Sequence, residues 1–228
     1  FIQDGSETAE NLEPLVQEKT LSIMELLMDG GMAGQIIIGV LFVLLFTAVY
    51  LYFERLFAIK AATDYDVNFM DEIRNNVSSG NLEAAKVLCA KKNTPVSRLT
   101  EKGISRIGSP LEDINTAIEN AGRLEVYQLE KNISILATIS GAAPMLGFLG
   151  TVIGMILSIF EISNAGGNID MQLLADGLYT AMTTTVAGLI VGILGYITYN
   201  HLVVKTNKAV YQMEASSLEF LDLLNEPA

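Results

Sequence analysis

Ser140, Pro144, Gly147, Thr151, Gly154 and Ser158 follow one another at spacings of 4, 3, 4, 3 and 4 residues. On a helix all six share one face. Every member is small or hydroxylated, while the opposite face carries Leu146, Phe148, Leu149, Ile153, Ile156 and Phe160. A second series, Ala181, Thr185, Gly188, Gly192 and Gly195, is spaced 4, 3, 4 and 3, with Thr184 beside it. Thr and Ser hydroxyls donate and accept hydrogen bonds and position water, but they do not titrate. Such faces can line a path for protons without carrying one.

The elements that must hold these faces are set by charge. No charged residue occurs over 30–53, 132–160 or 177–200, runs of 24, 29 and 24 residues. About 20 mostly apolar residues span a bilayer core, so the chain is expected to be an all-α integral membrane protein with three transmembrane helices. The first run is bulky and branched, as suits a helix facing lipid. The other two are rich in Gly, Thr and Ala, as suits helices facing helices. Eleven of the fourteen Lys and Arg residues lie between the first and second runs, and Lys205 and Lys208 follow the third. The positive-inside rule then places the N-terminus outside and the C-terminus in the cytoplasm. The net charge of −12 is mostly extracytoplasmic and argues against a nucleic-acid partner. A chain starting at Phe1 with its N-terminus outside is compatible with a removed signal peptide.

The expected order is an acidic tail and amphipathic interfacial helix over 1–31, a span over 32–54, and a cytoplasmic helical domain over 55–131. A second span over 132–160, an extracytoplasmic loop over 161–172, a third span over 173–200 and a cytoplasmic helical tail over 201–228 complete it. Within the cytoplasmic domain, short helices break at Ser78-Ser79-Gly80 and Gly108. Ser109 as cap, Pro110 at the first position and Glu112 with Asp113 in the first turn form a helix-entry signal. With no Pro from Leu111 until Pro144 and a lone Gly122 before Gly141, this helix is expected to run unbroken to Phe160, about 75 Å. The third span likewise continues without a breaker to Pro227. The expected stalk is therefore built by long cytoplasmic extensions of membrane helices.

Two accounts of the small-residue faces compete. They could be close helix–helix contacts, each Thr satisfied on the backbone a turn back. Alternatively, one chain with three spans does not bury both faces, and copies in a ring leave the hydroxyls toward a lumen. The span cores hold no Asp, Glu, Lys, Arg or His, and a membrane proton pathway normally needs a titratable relay. If the chain conducts, a partner must supply the acid. Glu161 and Asp176 at the outer ends and His201 at the inner end are candidates for a charged entrance or exit. The lone Cys89 reads as a small packing residue. No zinc spacing, metal cluster, phosphate loop or nucleophile–base arrangement is present, so neither an enzyme nor a cofactor is expected.

In "ERL" after the first span, "LEKNISILATISGAAPMLGFLGTVIGM" through the second and "AMTTTVAGLIVG" in the third, the chain resembles the ExbB/TolQ/MotA family of ion-driven motor proteins, its three-span ExbB/TolQ branch. The resemblance implies a homo-oligomeric, pentameric ring in the bacterial inner membrane. That ring encloses the helices of two ExbD-like or TolR-like subunits, each bearing a membrane aspartate, and works on a TonB-like or TolA-like protein. It implies lumen positions for Thr151 and Thr185, with Thr184, Thr180, Ser140 and Ser158 around them. Pro144, Gly147, Gly154, Gly188 and Gly192 are then helix-packing positions. Many family members carry a glutamate five residues before the second threonine. Here that position is Thr180, and Asp176 one turn earlier is the nearest carboxylate to take its role.

Overall fold

The computed structural model describes residues 31–63, 68–164 and 171–225. The acidic tail, the interfacial piece expected to end at Gly31 and the centre of the 161–172 connection lie outside them. Among the described residues the elements are α1 (Gly31–Ala62), α2 (Asn68–Ser78), α3 (Leu82–Lys92), α4 (Pro95–Ile104), α5 (Leu111–Glu130), α6 (Ile133–Asn164) and α7 (Met171–Asn225). Three stretches are long and apolar enough to cross a membrane, and they lie in α1, α6 and α7.

These three form one bundle. α1 and α7 run parallel, because Gly34 meets Thr180 and Thr184 near their beginnings while Tyr52 bonds His201 a membrane's length on. α6 runs antiparallel to α7. The outward side of α1 is apolar, with Ile36, Val43, Phe46 and Tyr50 exposed. α6 runs past Phe160 to Asn164 and α7 begins at Met171, so the connection is shorter than expected; no breaker stands before Gly166-Gly167.

The unbroken helix expected from Leu111 to Phe160 is interrupted at Lys131-Asn132, between α5 and α6. Asn132 takes φ +66°, a left-handed conformation that Asn visits more readily than most residues. The Arg55 guanidinium stands at this break. It is buried, pairs with Glu54 and donates to the Gln128 carbonyl at 3.2 Å, where the α5 dipole favours a cation. At the other end of α5, Gly108 has φ +102°. Pro110 occupies the capping position with no side-chain cap bond, so Ser109 is not the cap it was expected to be.

The insert packs against the far part of α7. Leu202, Thr206, Ala209, Met213, Ser216 and Phe220 are buried at alternating steps of four and three, one stripe of the helix. Phe220 fills the insert's core so closely that a Cβ on Gly103 would lie 2.4 Å from its ring. Thr94 and Ser97 form a capping box that starts α4. Arg98 grips Glu125 through both carboxylate oxygens, at 2.7 and 2.5 Å, and that bond raises the Arg98 pKa. Cys89 is buried, and burial, then the charge of Glu101, pushes its thiol up to about 12.

Candidate functional site

The two small-residue faces meet each other. Down the α6–α7 seam, Ser140 faces Gly195, Pro144 faces Gly192, Gly147 faces Gly188, Gly150 faces Thr184, Gly154 faces Ala181 and Ser158 faces Gly177. A Cβ on Gly188 would lie 2.6 Å from the Ala143 carbonyl and 2.8 Å from Gly147 Cα, so backbone touches backbone. Pro144 offers no N–H and so frees the Ser140 carbonyl from its helical donor; its ring takes the space a side chain at Gly192 would need, 2.5 Å from that Cβ. One chain thus joins most of both faces itself, and leaves Thr151 and Thr185 half-buried. The antiparallel α6–α7 pair joins them within the chain, as the close-packing account required.

This sorts the hydroxyls. Thr184 is fully buried; its hydroxyl donates to Ala181 O at 2.8 Å and reaches Gly147 O at 3.3 Å. Ser158 is buried and donates to Gly154 O at 2.9 Å. Both were expected toward a lumen, and both are instead interior packing groups of the protomer. Ser140 is half-buried at the seam and donates to Ala137 O at 2.7 Å. Thr180 turns toward α1, where its methyl stands 3.2 Å from the position of a Gly34 Cβ.

Thr151 and Thr185 differ from these. At 100° per residue, Thr185 lies past the seam from Thr180 and Thr184, on the side away from α1. Thr151 lies past the seam from Leu146, Gly150 and Ile153 in the same sense. The Gly150–Thr184 contact sets them at one level. Both are half-buried. Thr151 donates to Phe148 O at 2.6 Å and Thr185 to Gly147 O at 3.1 Å. With each proton engaged on a carbonyl, the remaining lone pairs accept from outside. A water or a protonated carboxylic acid is the matching donor; a carboxylate is not.

At the basic end of the bundle, Tyr52 OH and His201 Nδ1 lie 2.9 Å apart, their ring centroids at 5.8 Å. His201, expected as a candidate exit group, is thus tied to α1. The sequence offered no sign of this pair; it depends on the offset between two helices joined through the whole insert. Glu161 is exposed near the opposite end of α6, and the Asp176 side chain lies outside the described residues.

Residues 91–215 match the MotA/TolQ/ExbB proton channel family, covering α4 to α6, the end of α3 and most of α7. A putative biopolymer transport protein ExbB homolog of Methanothermobacter thermautotrophicus is 29% identical over 135 residues, 59% of this chain and 47% of that protein. Biopolymer transport protein ExbB of Aquifex aeolicus is 38% identical over 104 residues, 44% of this chain and 69% of the relative. The Tol-Pal system protein TolQ of Haemophilus influenzae is 24% identical over 221 residues, 91% of this chain and 96% of the relative. The chain thus matches about half the length of the first of these and nearly all of the last.

Proposed function

Because this chain belongs to the MotA/TolQ/ExbB proton channel family, we propose that it is a ring-forming subunit of an inner-membrane motor driven by the proton motive force. In this reading several copies, five by resemblance, surround the single helices of an ExbD-like partner whose membrane aspartate carries the proton. The assembly energises a TonB-like protein for outer-membrane transport. The basic end of the bundle is cytoplasmic, and the N-terminus and the α6–α7 connection are periplasmic.

One observation carries the reading: Thr151 and Thr185 present acceptor lone pairs at one level of a seam whose helices hold no Asp, Glu, Lys, Arg or His over 132–160 or 177–200. The chain offers a protonated acid a place to bind and no acid of its own. A partner's aspartic acid, neutral in that place, donates to these oxygens and leaves them once ionised. The hydroxyl pair therefore favours one protonation state of the partner over the other, which is what couples proton transfer to displacement.

The test combines assembly and flux. The complex is extracted in mild detergent, its native mass and co-purifying chains are identified, and it is reconstituted to measure proton flux. Thr151→Val keeps the side chain's shape and removes the hydroxyl; one lost hydrogen bond of about 1.4 kcal/mol slows flux about tenfold with assembly and melting unchanged. Thr184→Val is the contrast, lowering the melting temperature because its hydroxyl is sealed in the seam. Wild-type flux in Thr151→Val would defeat the proposal.

Two alternatives have an observation behind them. The TolQ relative matches over almost its whole length, which favours envelope maintenance with TolR-like and TolA-like partners; the identity of the co-purifying chains decides. The closed seam itself favours a non-conducting membrane scaffold, which predicts a homo-oligomer without an acidic partner.

A further inference from the structure

Beyond the bundle's charge-free level, the ends of the apolar stretches leave a cleft of about 580 Å³ between α1 and α7. Phe57, Ile59 and Lys60 line it from α1, and Lys205, Lys208 and Gln212 from α7. Lys60 and the Lys205–Lys208 pair, far apart in sequence, are brought to one concavity only because α1 and α7 run parallel. No carboxylate lines the cleft among the described residues, and within them no ion pair involves any of these lysines. Like charges gathered this way repel unless an anion joins them.

Depth indicates which anion. Lys205 stands five residues beyond Asn200, about 8 Å along the helix, and Lys60 seven beyond Phe53, about 10 Å. A headgroup layer occupies about 5–8 Å beyond the hydrocarbon, and lysines extend toward it along their apolar stems. The same cleft has an apolar lip: Phe57 is 66% exposed, and Phe53 lies a turn nearer the membrane core, also exposed. Basic pockets between membrane helices on such a face suit acidic headgroups.

We propose that this cleft binds the phosphate of an anionic phospholipid, with Lys60, Lys205 and Lys208 as its ligands and Phe57 against the upper acyl chain. The site requires only that α1 and α7 cross the membrane, so it stands or falls separately from the motor reading.

The experiment uses the intact detergent-solubilised complex and reads the concentration of dioctanoyl phosphatidylglycerol that half-saturates its thermal stabilisation. Dioctanoyl phosphatidylcholine and inorganic phosphate are run in parallel. Lys60→Gln, Lys205→Gln and Lys208→Gln should each raise that concentration about fivefold. Lys102→Gln, on α4 away from the cleft, should leave it unchanged. The corresponding Lys→Arg changes keep the charge and should retain binding, which separates ligand loss from misfolding. Equal response to phosphatidylcholine, or unchanged affinity in all three Lys→Gln variants, would overturn the site. Inorganic phosphate matching phosphatidylglycerol at the same concentration would overturn its assignment to lipid.

Discussion

Gly188→Ala should separate the two helices of the seam. The added Cβ would lie 2.6 Å from Ala143 O, 2.8 Å from Gly147 Cα and 3.0 Å from Gly147 N. Ordinary contact needs at least 3.4 Å, so α6 and α7 must part by roughly half an ångström or more, because every obstructing atom is backbone. Overpacking of this kind costs about 1–3 kcal/mol. The Thr184 and Thr185 bonds to Gly147 O, at 3.3 and 3.1 Å, lengthen with the same movement, adding about 0.6 kcal/mol for each at membrane depth. Against this, replacing a helical Gly by Ala returns about 1 kcal/mol. The net is a loss of about 1–3 kcal/mol, or several degrees in melting temperature at about 2–4 °C per kcal/mol. Gly141→Ala in α6 is the matched control, because nothing lies within 4 Å of its Cβ and only the propensity gain remains. Melting of both variants in detergent, followed by circular dichroism, decides. If Gly188→Ala melts with or above Gly141→Ala, the seam is not packed as described.

Two further predictions concern the insert. Glu125→Gln halves the grip on Arg98, whose side chain is 38% exposed and so partly screened; a loss of about 1–2 kcal/mol in chemical denaturation is expected, and no loss would mean the pair is dispensable. Cys89 has its thiol pushed up to about 12 against an ordinary 9.0, so at pH 8 the thiolate fraction falls about a thousandfold and iodoacetamide should label the folded chain that much more slowly than the unfolded one. The sign follows for stability: a raised thiol pKa favours the fold fully below pH 9.0 and less as pH rises toward about 12. Labelling at the unfolded rate would contradict burial of this residue.

The three long helices were legible because charge-free runs have a length that lipid dictates. The insert's turns were legible from glycine and polar clusters. The α5–α6 break was not, since Lys131-Asn132 contains neither Gly nor Pro, and Asn is only permissive of the left-handed turn it adopts. The seam was half legible: spacing identified both small faces and their common chemistry, but not that they face one another. A periodic pattern specifies a face and leaves its partner open. Thr151 and Thr185 kept an outward-accessible position, while Thr184, one residue from Thr185, turned inward. A single 100° step separates a possible acceptor from a packing group. Arg98–Glu125 and Tyr52–His201 join residues 27 and 149 apart, distances over which local pattern carries no information.

The two helices of the seam differ mechanically. α7 continues from Met171 to Asn225 as one piece, about 80 Å of unbroken hydrogen-bonded backbone. Its partner is jointed at Lys131-Asn132, where two residues leave helical geometry. A tilt or twist applied near Thr185 is delivered through a stiff rod to Phe220, seated against Gly103. The same disturbance entering α6 can be absorbed at the joint before it reaches α5. The pair therefore behaves as an axle beside a hinge, and the far end of α7 is the place where motion at membrane depth would be felt.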